Sequence, residues 1–199
     1  MAADLHRLLR SGLTGVCEDG CRDVPRPEVI EFVSQHFVAY QVNTKEPAVE
    51  DRKLLAADRL LWEPGFVILD HGGRELRRTV GFLPPEEFLA ELRLVLGKTA
   101  LLHAWSPESQ AWFAAVGAGT SSVAPDALFW AGIAAYRIER DLEILRQRWG
   151  ELRERFPDSA WWIRADVFDD DPPGPGGLGD SSAQPPQGPV MHTALPGRT

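Results

Sequence analysis

The chain has 199 residues, 44% hydrophobic and 25% charged, the balance of a soluble globular protein of one or two small domains. Its formal charge of -8 argues against nucleic-acid or anionic-membrane partners, which want a basic face. No apolar run is long enough to span a bilayer, and the start MAADLHRLLRSG lacks the apolar core and cleavage site of a secretory signal, so the expected compartment is the cytoplasm.

In chain order, Ala2 to Arg10 reads as helical, with Leu5, Leu8 and Leu9 on one side. Pro27 to His36 reads as a second helix, with Val29, Phe32 and Val33 on a common stripe. FVAYQV (37–42) is rich in β-branched and aromatic residues and reads as a strand. Pro47 suits the first turn of a helix running to about Asp58. FVIL (66–69) is a short continuous apolar run, the pattern of a buried strand. Asp70-His71-Gly72-Gly73 is a hairpin turn, because glycine accepts positive φ, and the return strand is Glu75 to Val80. Pro84-Pro85 opens a helix with Phe88, Leu89, Leu92, Val95 and Leu96 at helical spacing.

The second half reads as all helical. Ser106-Pro107 starts one helix, and Ala124-Pro125-Asp126 opens another that runs to Glu139. A third spans Asp141 to Phe156, and Pro157-Asp158-Ser159 restarts a short one through Trp161 and Trp162. Adjacent tryptophans on a helix cannot both aim at one core, so one of this pair is expected to face solvent. The arginines at 137, 140, 146, 148, 153 and 155 alternate with glutamates and read as a solvated face. His71 and His103 read as surface residues. From Pro172 to Thr199 there are seven prolines and six glycines, too little apolar surface to offset chain entropy, so 169–199 reads as a disordered tail.

Both cysteines lie in GVCEDGC, at Cys17 and Cys21. Three readings are open: a redox pair, part of a metal site, or two reduced thiols without activity. A structural zinc site wants four ligands, and His6 and His36 would have to converge with the two cysteines, so no metal is expected. One helical turn would bring the two thiols within the ~6.8 Å Cα separation that a disulfide can bridge. Glu18 and Asp19 add negative charge beside them, which disfavours a thiolate.

The order of these pieces carries a resemblance. A cysteine pair precedes a helix; HFVAYQVNT follows; WEPGFVILD and HGGRELRRTVGF supply a proline, a strand and a return strand ending in glycine; PPEEFLAEL closes. The segment from Cys17 to Leu92 resembles a thioredoxin-like domain in this order. LFWAGIAAYRIERDLEILRQRWGELRERFPDSAWWIRA resembles a tetratricopeptide-type helical module. The resemblance implies an α/β thioredoxin-like fold over 1–97, a helical-repeat module over 98–168 and the tail beyond. It implies a thiol–disulfide oxidoreductase or thiol sensor, with Cys17 attacking and Cys21 resolving. Pro64 would be a cis proline facing the thiols, and the backbone beside it, at Glu63, would receive an extended peptide substrate. The partner would be a protein or peptide, and no cofactor is called for.

Two departures qualify these implications. The family pattern has two residues between its cysteines, and this chain has three. The family places a long apolar strand before the first cysteine. Arg10 to Val16, with two glycines, makes a poor one, so the first strand is expected to be weakened or missing. The alternative function is a non-catalytic protein–protein interaction module built from a degenerate thioredoxin fold and helical repeats.

Overall fold

The computed structural model describes residues 6–11, 26–42, 47–49, 51–52, 65–104 and 106–166. All of them belong to one compact unit that ends at Asp166; the 169–199 segment lies outside the described residues. The strands are β1 (His6–Ser11), β2 (Phe37–Val42), β3 (Gly65–Leu69) and β4 (Glu75–Val80). The helices are α1 (Pro27–His36), α2 (Pro85–Leu102), α3 (Ser106–Gly117), α4 (Ala124–Glu139), α5 (Leu142–Arg155) and α6 (Ala160–Ala165). Among the described residues the protein is mixed α/β and mostly helical.

The four strands form one sheet in the order β2-β1-β3-β4. β1 pairs parallel with β2 and antiparallel with β3, and β3 pairs antiparallel with β4. The expectation of a helix over 2–10 is therefore overturned at His6–Ser11, where a first strand is present; residues 12–16, the rest of the stretch expected to make a poor strand, lie outside the described residues. A helix of about nine residues is marginal on its own. As a strand, the same backbone finds partners along both edges, and tertiary pairing of this kind overrides a short local periodicity.

The rest of the sheet follows its sequence cues. β3 lies inside the sheet, and Val67, Ile68 and Leu69 are all buried although successive side chains alternate faces, so both faces of this strand are covered. The β3–β4 turn is built by Asp70. Its Oδ1 accepts from the amides of Gly72 and Arg74, each at 2.9 Å, and Gly73 supplies the positive φ of 82°. A register shift between Ile68 and Leu69 marks a bulge at that end. Val49, Asp51 and Arg52 are helical, with the amides of Asp51 and Arg52 donating to the Ala48 carbonyl, as a helix opened by Pro47 requires.

α2 organises the molecule. Pro85 starts it, and Glu86 and Glu87 lie in its first turn where the helix dipole favours anions. One side packs on the sheet through Phe88, Leu92, Val95 and Leu96 against Phe37, Phe66, Ile68 and Leu76, joined by Phe32 and Val33 of α1. The other side, with Ala90, Leu94 and Leu101, packs into a second core with Phe113 and Val116 of α3 and Ala127 and Ala134 of α4. A helix apolar on this much of its circumference must be buried from two directions. It runs unbroken through residues 97–98, where the two expected domains would meet.

A third core joins α4, α5 and α6 through Leu128, Leu145, Trp149, Leu152 and Ala165. Trp161 and Trp162 both pack, partly buried, against it, so neither is the solvent-facing member that their adjacency implied. α6 is short, and its two wide rings flank the contact on either side. Arg164 and Arg153 lie over their faces at 4.4 and 5.5 Å, and the position turned to solvent is Ile163, 68% exposed.

Candidate functional site

The pairing of the strands defines where a site can form. Ser11, the last residue of β1, pairs with Val42, the last residue of β2, and with Gly65, the first residue of β3. The carboxyl ends of two parallel strands thus meet the entry of an antiparallel one at a single edge. Ligand sites of open α/β sheets form outside the carboxyl ends of the strands.

The sequence-named residues belong to the segments that flank this edge. Cys17 and Cys21 fall between the end of β1 and the start of α1; Glu63 and Pro64 immediately precede Gly65. All four lie outside the described residues. α1 passes directly into β2, with His36 followed by Phe37, and packs against β2. Its Pro27 end is therefore directed toward the edge where Ser11, Val42 and Gly65 meet. Arg26 precedes that end, with its guanidinium 3.7 Å from Glu28 and 3.5 Å from Glu86 of α2.

Three polar groupings escaped the sequence reading. At the far end of α1, the His36 imidazole lies 4.7 Å from the Phe32 ring and 5.2 Å, edge-on, from the Trp112 ring of α3. Burial holds this imidazole below the usual histidine range, and the nearby Glu108 carboxylate opposes that effect. The local signal for the first contact is the i,i+4 spacing of Phe32 and His36 on a helix. Trp112 could not have been paired with them from the sequence.

The second grouping is Arg77 of β4, which donates to both carboxylate oxygens of the buried Glu91 of α2, at 2.7 and 2.9 Å. A bidentate pair of this kind ranks among the strong hydrogen bonds. Its signal was a lone glutamate within the apolar pattern of α2. The third is Lys98, whose ammonium lies 2.8 Å from Asp126 Oδ2 and over the Trp130 and Trp161 rings at 5.5 and 5.3 Å. His71 and His103 are exposed, as expected. At the hairpin, the Arg74 amide holds the Asp70 carboxyl below the usual range, opposed by burial and aided by the Gly72 amide. Among the described residues no three histidine, cysteine, aspartate or glutamate side chains converge as a metal site would need. Among them, too, no helix is long and apolar enough to cross a membrane.

Fold and edge together define a mixed α/β protein whose described elements run strand, helix, strand, then a hairpin and a following helix. No protein-family model and no curated protein matches the chain. Among solved structures it is similar to a thioredoxin-fold protein from Helicobacter pylori, at 22% identity over 46% of this chain and 69% of that one, with a TM-score of 0.38.

Proposed function

We propose that the chain is a thioredoxin-fold protein that exchanges thiols and disulfides through Cys17 and Cys21. The supporting observation is the register that joins Ser11 to both Val42 and Gly65. The segment bearing the thiols leaves the sheet at the edge where the segment bearing Glu63 and Pro64 returns to it. In the proposed reaction the Cys17 thiolate attacks one sulfur of a protein or peptide disulfide. A mixed disulfide forms and the other substrate sulfur leaves as a thiolate, which takes up a proton. The Cys21 thiolate then attacks Cys17, releasing the second substrate thiol and leaving a Cys17–Cys21 disulfide. The substrate gains the two electrons that the cysteine pair loses. The backbone beside Pro64 would hold the extended substrate.

One observation favours a second reading. Glu18 and Asp19 directly follow Cys17 and raise the cost of its thiolate, which suits a binding module with inert thiols. Titration of thiolate absorbance, with insulin-disulfide reduction by the wild type, Cys17→Ser and Cys21→Ser, separates the two. Exchange predicts turnover abolished by Cys17→Ser and a trapped mixed disulfide with Cys21→Ser. Thiols that ionise above the free-cysteine value of about 8.5 and reduce nothing leave the binding module.

A further inference from the structure

α1 enters the sheet through His36, its last residue, and the His36 ring is wedged between two aromatic rings. Phe32 lies one turn back on the same helix at 4.7 Å, and Trp112 of α3 stands edge-on at 5.2 Å. Phe32 and Trp112 also meet each other, at 5.9 Å and 89°. The three rings fasten the C-terminal end of α1 to α3. The imidazole is half-buried among carbon surfaces. A neutral ring suits that setting, and an imidazolium does not, because burial penalises the charged form.

We propose that this three-ring contact is a proton-operated latch, closed while His36 is neutral and loosened when it is protonated. From α3, Glu108 favours the proton. From α2, the Arg93 guanidinium lies over the Phe32 ring at 5.1 Å and offers a second cation no compensation. On α1 itself, Glu31 accepts a hydrogen bond from Gln35 at 3.2 Å, and the helix C-terminus favours a cation. β2 carries no charged side chain. Burial outweighs Glu108, so the closed state holds its proton less tightly than an exposed histidine does.

The sign follows. Above the ordinary histidine midpoint of about 6.5, open and closed states are both neutral and pH has no effect. As pH falls from there toward the lower midpoint of the closed state, the open state binds the proton preferentially and the latch loosens. Below that midpoint both states are protonated and the loss levels off. α1 is the first described helix after the Cys17–Cys21 segment. This inference does not depend on the thiols being reactive.

The test uses the whole chain. The His36 resonance, assigned by its loss in His36→Phe, is titrated by NMR, and amide exchange in α1 and α4 is followed between pH 7.5 and 5 after correction for intrinsic rates. The latch predicts a midpoint below 6.5. It also predicts an α1-specific loss of protection of about tenfold for each whole pH step by which that midpoint is lowered. His36→Phe keeps a ring but cannot titrate, and should show no such loss. Glu108→Gln should move the midpoint further down and enlarge the loss; this arm stands if His36→Phe fails to fold. A midpoint at or above 6.5, an equal loss in His36→Phe, or a midpoint unmoved by Glu108→Gln overturns the proposal.

Discussion

Gly132 of α4 lies directly against α5. A Cβ at this position would lie 2.5 Å from Trp149 Nε1, 2.7 Å from its Cδ1 and 3.2 Å from Leu145 Cδ1. The indole cannot retreat freely, because its Nε1 donates to the Phe129 carbonyl at 3.0 Å and its ring stacks on Phe129 at 5.0 Å. Gly132→Ala is therefore expected to cost about 1–3 kcal/mol in urea unfolding, the usual range for an overpacked contact. Gly150, in α5, is the control: an added Cβ meets nothing within 4 Å. Gly150→Ala should stabilise by up to about 1 kcal/mol through helix propensity alone. A sequence reader sees two glycines in predicted helices and has no means of telling them apart.

At the scale of elements, two arginines close helices that are distant in the chain. The last carbonyls of a helix have no partner within it and must find one elsewhere. Arg137 of α4 donates from Nη1 to the Leu101 carbonyl at the end of α2, at 2.8 Å. Arg155 of α5 donates from Nη1 to Gly117 O at 2.6 Å and from Nη2 to Gly119 O at 2.8 Å, beyond the end of α3. These arginines were read as members of a solvated face; all six are exposed, and two of them also form structural ties. Arg155→Ala should cost about 1–3 kcal/mol, since hydrogen bonds from a charged donor are lost but the site is partly open to water. Arg155→Lys keeps the charge without the fork and should recover only part of this. Denaturant midpoints of the two variants check the order; a lysine variant as stable as wild type would contradict it.

The starts of the helices were legible because their signals are local. Proline at the first helical positions marks α1, α2 and α4, and the Asp141 and Ser159 side chains cap α5 and α6 by accepting from the amides of Glu143 and Trp162. β2, β3 and β4 were legible from β-branched runs and the Asp-His-Gly-Gly turn. β1 was not, because Leu5, Leu8 and Leu9 carry a helical spacing that runs into it.

Over the whole molecule, α2 belongs to two cores at once, and side-chain pairs anchor it on both sides. Arg77–Glu91 joins it to β4, and Lys98–Asp126 joins it to α4. The sheet and the helical layer are therefore expected to melt in one transition, with calorimetric and van't Hoff enthalpies in agreement. Two resolved transitions would show that α2 does not couple them. Glu91→Ala leaves Arg77 facing an apolar gap and should cost about 2–4 kcal/mol, less than for a fully buried pair because Arg77 is a third exposed. Replacing both partners by methionine should recover most of that loss, since removing a pair together leaves no orphaned charge.

By itself the sequence determined α1 and the helices from Pro85 onward, the β3–β4 hairpin, and the choice of Cys17, Cys21, Glu63 and Pro64 as residues to test; residues 53–58 of the helix expected after Pro47 lie outside the described residues. Each of these rests on neighbours a few positions apart or on the order of pieces along the chain. Only the tertiary structure decided that His6–Ser11 is an inner strand and that Ser11 meets both Val42 and Gly65. It alone joined His36 to Trp112 and gave two arginines to helix ends made by other segments. The physical reason is range. Periodicity and capping report the preferences of a few consecutive residues, whereas a strand partner, a buried ion pair or a ring contact depends on which distant segment packing brings alongside.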